Sequence, residues 1–254
     1  MRNIKLTIAY DGTGFSGWQK QLNAPTIQGK LEKVLSTITN CTVTLNGAGR
    51  TDAGVHALGM VANFKSNSSI SLPRLQTGAN SILPAAIRIL GIEAAHPDFH
   101  ARFTSLSKSY TYTIETGAIQ SPIGRLYAVH IPQSLSLSSM QQCLKIITGT
   151  HDFASFEASG SRDKTVSTGK GSVRTLYSAT LTENAPDQLQ FQFTGDGFLR
   201  HMVRNMVGSV LEVGKGRKTV ADFIVILDAR DRSKACATAP AHGLFLEEIN
   251  YPPT

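Results

Sequence analysis

The sequence predicts an α+β fold with antiparallel strand pairing, built from two similar halves. Three observations carry this. Short segments alternate apolar and polar residues with the period of a strand, and between them lie segments with the apolar period of a helix. The two kinds do not alternate strictly, as a parallel βαβ chain would require. The order of elements that begins at residue 3 roughly recurs from residue 107, which sets a boundary near 105 and gives halves of 1–105 and 106–254.

In the first half, residues 3–10 (NIKLTIAY) set Ile4, Leu6 and Ile8 against Lys5, Thr7 and Ala9, the pattern of a half-buried strand. Residues 26–38 place Ile27, Leu31, Val34, Leu35 and Ile38 on one helical stripe. The β-branched run 41–45 (CTVTL) reads as a strand leading into a glycine-rich loop, and residues 55–64 resume a strand. A helix over 73–82 and a strand over 87–94 follow. In the second half, 107–115 (SKSYTYTIE) is a strand, and 137–147 is a helix with Leu137, Met140, Leu144 and Ile147 in register. Residues 172–183 and 188–194 read as strands, 198–213 as a long helix, 220–227 as a shorter one and 244–251 as a closing strand.

Composition narrows the function classes. With 41% hydrophobic and 17% charged residues in 254, the chain reads as an ordinary soluble globular protein. No apolar run reaches the roughly 18 residues of a membrane helix, and the N-terminus opens on a strand-like segment, not a signal peptide. Cys41, Cys143 and Cys236 are odd in number and never form C-x-x-C, which argues for reduced thiols in a cytoplasmic protein and against structural zinc. The 25 basic residues exceed the 18 acidic ones by enough to leave +7, a surplus that attracts polyanions, nucleic acid being the commonest.

The stretch "GAGRTDAGVHALG", residues 47–59, surrounds Arg50, Asp52 and His56 with glycine. Glycine at such density implies positive φ or a backbone that passes close to something. A P-loop is excluded, because Val55 and His56 follow Gly54 where Lys and Ser/Thr are needed. A second glycine cluster, "YDGTGFSGWQ", contains a literal G-x-G-x-x-G at Gly12, Gly14 and Gly17. The dinucleotide fingerprint also needs a helix opening inside the glycines; the seven residues between Gly17 and Pro25 show no apolar period. His96 and His100 in "HPDFH" have no third ligand, and Pro97 keeps them off one helical face, so they read as surface residues of an extended segment.

Tyr110, Tyr112 and Ile114 share one face of their strand, as core or as a stacking platform for a base. In "FLRHMVRNMVGSVLEVG" the apolar arc is so broad that the helix is mostly buried, with Arg204 at its rim and Arg200 one turn back. Such an arginine lays its stem on the core or presents a fixed guanidinium to a carboxylate. Asp52 could cap a turn; a lone carboxylate can also act as a nucleophile or a base without any cofactor.

Seven blocks, "YDGTGFSGWQ", "GAGRTDAGVHA", "DFHARF", "KSYTY", "HDFASF", "FLRHMVRNMVGS" and "HGLFLEEINY", run from end to end of the chain. In this order they resemble the bacterial tRNA pseudouridine synthase A (TruA) family. The resemblance implies isomerisation of uridine to pseudouridine at positions 38–40 of the tRNA anticodon arm. It also implies two ferredoxin-like halves forming one extended mixed sheet, a homodimer, and neither metal nor organic cofactor. By motif it makes Asp52 the catalytic carboxylate, sets Tyr110 on the target base, pairs Arg204 with the aspartate and has Arg50 help hold the displaced nucleotide. The sequence departs from the family pattern at Met60 and Asn63, where Gln and His are expected, and in "LPAAI", which lacks an acid; these touch peripheral polar contacts.

The segment 159–174 (SGSRDKTVSTGKGSVR) sets Arg162, Lys164, Lys170 and Arg174 against the single Asp163, without apolar periodicity. This composition suits a basic loop that grips tRNA phosphates. Each such contact steepens the plot of log K against log salt by roughly 0.7–0.9. Replacing Lys164, Lys170 and Arg174 by Gln should therefore flatten the slope by up to about two to three. Binding isotherms across a salt series read it, and parallel lines for wild type and triple variant reject the grip.

Overall fold

The computed structural model describes residues 1–160 and 171–253. It bears out the α+β class. The chain divides into two units: Met1–Leu106 with the C-terminal residues from Phe245 onward, and Ser107–Leu244.

The first unit runs β1 (Arg2–Tyr10), α1 (Ile27–Thr39), β2 (Asn46–Gly47), β3 (His56–Ser66), α2 (Leu72–Ile82) and β4 (Ile87–Ala95). β1 lies between β3 and β4 and is antiparallel to both, while β2 pairs antiparallel with the far end of β3. The order β4-β1-β3-β2 for a βαββαβ chain is the ferredoxin-like arrangement. The alternation read from residues 3–10 is the burial pattern itself: Ile4, Leu6 and Ile8 are fully buried, as are Ile27, Leu31 and Leu35 of α1.

The run 41–45 departs from expectation, since the strand shrinks to Asn46–Gly47. Val43 and Leu45 are buried, as a strand face would be, but their amides are diverted. The Val43 N–H donates to Ser36 Oγ at 2.9 Å and the Leu45 N–H to Glu32 Oε1 at 3.0 Å. Both acceptors belong to α1, so the helix takes donors that a strand ladder would use.

The second unit comprises β5 (Ser107–Glu115), β6 (Val129–His130), α3 (Leu137–Ile147), β7 (Gly149–Asp152), β8 (Val173–Ala185), β9 (Gln188–Gly195), α4 (Met202–Gly214) and α5 (Val220–Ala229). Its antiparallel order is β5-β9-β8-β7, with β6 parallel to the end of β5. The last strand, β10 (Leu244–Asn250), closes the second half in chain order. From Phe245, however, it packs in the first unit, because Phe245 and Leu246 pair in parallel with His56 and Ala57 of β3.

Helix α4 is buried almost all round, as its apolar arc requires. It starts at Met202, four residues later than the periodicity suggests, because His201 takes a left-handed conformation (φ 63°) at the N-cap. Arg200 thus precedes the helix instead of lying one turn behind Arg204 on it.

Glu32 joins three parts of the first unit. Its Oε1 accepts from the Leu45 N–H and, at 3.1 Å, from Gln28 Nε2; its Oε2 meets Lys20 Nζ at 3.0 Å. Glu32 is buried and Lys20 exposed. Glu32→Ala leaves a buried amide unsatisfied and should cost about 1–3 kcal/mol in urea unfolding. Lys20→Ala, at the exposed partner, should cost under about 1 kcal/mol. Equal, small losses would show that the carboxylate does not hold the 41–45 segment.

Candidate active site

The loop between β2 and β3 carries Arg50 and Asp52. It leaves β2 with the Ala48 N–H donating to the Val61 carbonyl, and turns back where the Val55 N–H donates to the Asp52 carbonyl at 3.2 Å. Gly54 in that turn has φ +76°, a conformation side chains rarely adopt. Asp52 is half-buried and Arg50 exposed.

What lies against this loop explains the other glycine cluster. A Cβ on Gly12 would overlap the Val55 carbonyl oxygen. One on Gly17, at φ +87°, would sit 2.6 Å from the Thr51 carbonyl oxygen and 3.0 Å from the Asp52 carbonyl carbon. Two of the three glycines in the apparent dinucleotide motif are therefore glycine because the Asp52 loop passes across their backbone. The neighbouring aromatic residues complete the seat. The Trp18 N–H donates to the Thr51 carbonyl at 3.1 Å, and the Tyr10 hydroxyl meets Thr51 Oγ1 at 2.8 Å. The Trp18 indole is buried close under Gly47, where a Cβ would come within 2.6 Å of Nε1.

His56 closes the far side. It is buried, stacks on Phe245 with centroids 4.6 Å apart, and accepts the Gly12 N–H at Nδ1 at 3.0 Å. The same Nδ1 lies 3.1 Å from Asp11 Oδ1. Nothing in the sequence pattern marks Tyr10, Gly12, Gly17, Trp18 and His56 as supports of this loop. The glycine spacing is visible in the sequence, but the backbone it packs against is not.

Tyr110 and Arg204 belong to the second unit. Tyr110, on β5, is 7% exposed and meets Phe198 edge to face, with centroids 4.9 Å apart at 74°. Two residues on, Tyr112 is fully buried and donates its hydroxyl to the Pro240 carbonyl at 2.9 Å. Burial pushes this phenol well above its usual range, while the Arg204 guanidinium pulls the other way. The two tyrosines thus differ in kind, Tyr112 being core with its hydroxyl satisfied.

Arg204 is only partly exposed, and its Nε donates to the Ala239 carbonyl at 2.8 Å, while the Ala239 N–H donates back to the Arg204 carbonyl at 3.1 Å. That reciprocal pair fixes the side chain at its Nε and orients the planar head, whose Nη groups give arginine its bidentate reach.

His96 and His100 act in their own turn: each accepts a backbone N–H two residues on, from Asp98 at 3.3 Å and Arg102 at 3.1 Å. Among the described residues no group of three His, Cys, Asp or Glu side chains is placed to hold a metal ion, and no helix is long and apolar enough to cross a membrane. Arg162, Lys164 and Lys170, expected in a basic loop, lie outside the described residues; Arg174 pairs opposite His151 at the start of β8.

The chain matches the family model described as tRNA pseudouridine synthase over residues 6–104 and 144–252. It is 51% identical over 251 residues to tRNA pseudouridine synthase A 1 of Desulfotalea psychrophila, spanning 99% of this chain and 100% of that protein. It is 43% identical to tRNA pseudouridine synthase A of Lacticaseibacillus casei over 253 residues, and 43% identical to that of Acetivibrio thermocellus over 251. Each alignment covers 99% of this chain and 100% of the relative. A match of this extent, across both units, shows that the chain belongs to the tRNA pseudouridine synthase family.

Proposed function

We propose that Asp52 is the carboxylate with which this enzyme isomerises uridine to pseudouridine in tRNA, and that its targets are positions 38–40 of the anticodon arm. The observation that carries the reading is the seat of the Asp52 loop. A half-buried carboxylate stands on a backbone held by Tyr10, Gly12, Gly17 and Trp18. A turn-capping aspartate needs no such seat; a group that must meet a ribose or a base at fixed distance does.

The chemistry fits one carboxylate. The N1–C1′ bond breaks, uracil turns while retained, and C5 bonds to C1′; the proton lost from C5 is balanced by one gained at N1. Nothing is oxidised and no group enters or leaves, so the reaction needs a nucleophile or base and a pocket that keeps free uracil. It also needs a base taken out of its stack, at a cost of a few kcal/mol offset by stacking and charge contacts. In this reading Tyr110 lies on the target base, Arg204 pairs with the aspartate and Arg50 helps hold the displaced nucleotide. The enzyme works as a cytoplasmic homodimer without metal or organic cofactor.

Incubating purified protein with unmodified tRNA, without added cofactor, followed by chemical mapping of pseudouridine tests the assignment. Asp52→Asn should abolish product while tRNA affinity stays within about a few-fold, since charge is lost and shape kept. Pseudouridine formed by the Asn variant would reject the catalytic role. Product outside 38–40 would reject the target positions alone.

Arg204→Met should cut single-turnover rate sharply, by about 10²-fold or more if the guanidinium bears on the reacting centre. Arg204→Lys should restore little of it, because an ammonium lacks the planar fork. A lysine variant at wild-type rate would reduce Arg204 to a point charge.

A further inference from the structure

We propose that Phe103, displayed with Arg102 and His100 on the loop 96–104, is a stacking platform for an unpaired base of tRNA other than the target uridine. Phe103 is 77% exposed, although it is a large apolar ring at the end of the "DFHARF" block. The His100 ring packs against it, with centroids 4.3 Å apart at 35°, and the Arg102 guanidinium carbon lies 5.9 Å from its centroid. A largely exposed aromatic ring, with a guanidinium over it and an imidazole tilted against it, is the chemistry that receives a nucleobase beside a phosphate. The chain's +7 surplus and the family's tRNA substrate supply the matching partner.

An isolated exposed apolar side chain needs no explanation by itself. The loop beneath this one does. Asn3 Nδ2 donates to the carbonyls of His96 and Phe99 at 2.8 and 2.9 Å. The Ala101 N–H donates to Asn63 Oδ1 at 2.9 Å, and the Tyr251 hydroxyl donates to the Ala101 carbonyl at 2.7 Å. Asn63 Nδ2 in turn donates to Asn3 Oδ1 at 2.9 Å, so the two buried amides form one network. Ala101 is fully buried, while its neighbours Arg102 and Phe103 face solvent. Buried amides are spent on holding the backbone of a surface loop still, and what that loop presents is an aromatic ring with its cation. Rigid display lowers the ordering cost of a contact. Asn63, one of the departures from the family pattern, belongs to this anchor.

The test measures binding of unmodified tRNA to the full chain carrying Phe103→Ala, Phe103→Leu or Phe103→Trp. Loss of one base stack should weaken binding by about five- to 150-fold in the Ala variant. The Leu variant, apolar but without a π-face, should fall with it. The Trp variant should bind at least as tightly as wild type, and the emission it adds to that of Trp18, read as the difference from wild type, should be quenched on addition of tRNA. Wild-type affinity in the Ala variant overturns the proposal, as does full affinity in the Leu variant or an unquenched added emission in the Trp variant. So does a change of sedimentation accompanying the loss in the Ala variant, since Phe103 would then lie between copies of the chain. The Leu and Trp variants keep the side chain's bulk, so their readings stand even if the Ala variant folds poorly.

Discussion

The first unit is organised around a backbone-on-backbone contact. Gly12 and Gly17 let residues 51–55 pass at a distance that any Cβ would close. The contact is fixed from behind by α1. The Ile27 N–H donates to the Gly17 carbonyl at 3.2 Å, the Gln28 N–H to the Trp18 carbonyl at 3.0 Å, and the Ser16 N–H to the Pro25 carbonyl at 2.8 Å. Thr26 caps the helix by accepting the Gly29 N–H. The chain therefore runs from the first strand, through the glycine cluster, into a capped helix, and uses that run as a bed for the Asp52 loop. Flexibility in the sequence becomes rigidity in the fold, because each of these two glycines is there for close approach.

The second unit handles its arginine by a comparable device. The segment 231–240 lies across α4 and is bonded to it along its length. Asn205, fully buried, donates to the Phe156 carbonyl at 2.7 Å and accepts from Thr238 Oγ1 at 2.7 Å and Arg232 Nη2 at 3.2 Å. The Cys236 N–H donates to Ser209 Oγ at 3.3 Å, and a Cβ on Gly208 would overlap the Ala237 carbonyl oxygen. The polar and small residues on this otherwise apolar helix mark the strap's path, and its end carries the Ala239 and Pro240 carbonyls that take Arg204 and Tyr112.

Much of this is legible in the sequence where periodicity or motif is local. Strand β1, helices α1 and α3 and the burial of α4 follow from spacing alone, and the glycine loop around Asp52 stands out by composition. What escapes are features set by a partner distant in the chain. The run 41–45 has strand composition, yet Glu32 and Ser36 take its amides. The G-x-G-x-x-G pattern looks like a nucleotide turn until Val55 and Thr51 are seen to fill the space above it. Asn63 reads as a peripheral departure, whereas it is a buried tie between β3 and the 96–104 loop. No spacing rule reports which carbonyl lies across a given glycine.

The seat of the Asp52 loop is tested most directly by the single-turnover rate of pseudouridine formation, at saturating tRNA, in Gly17→Ala beside Gly14→Ala. Both glycines have positive φ, but a Cβ at Gly14 meets nothing within 4 Å, while one at Gly17 drives into Thr51 and Asp52. The two variants thus share the conformational penalty of a left-handed residue, about 1–2 kcal/mol, and differ in the push on the loop. Gly17→Ala should lower the rate by about tenfold or more, while Gly14→Ala should stay near wild type. A wild-type rate in folded Gly17→Ala, or equal losses in both, would show that this contact does not position Asp52.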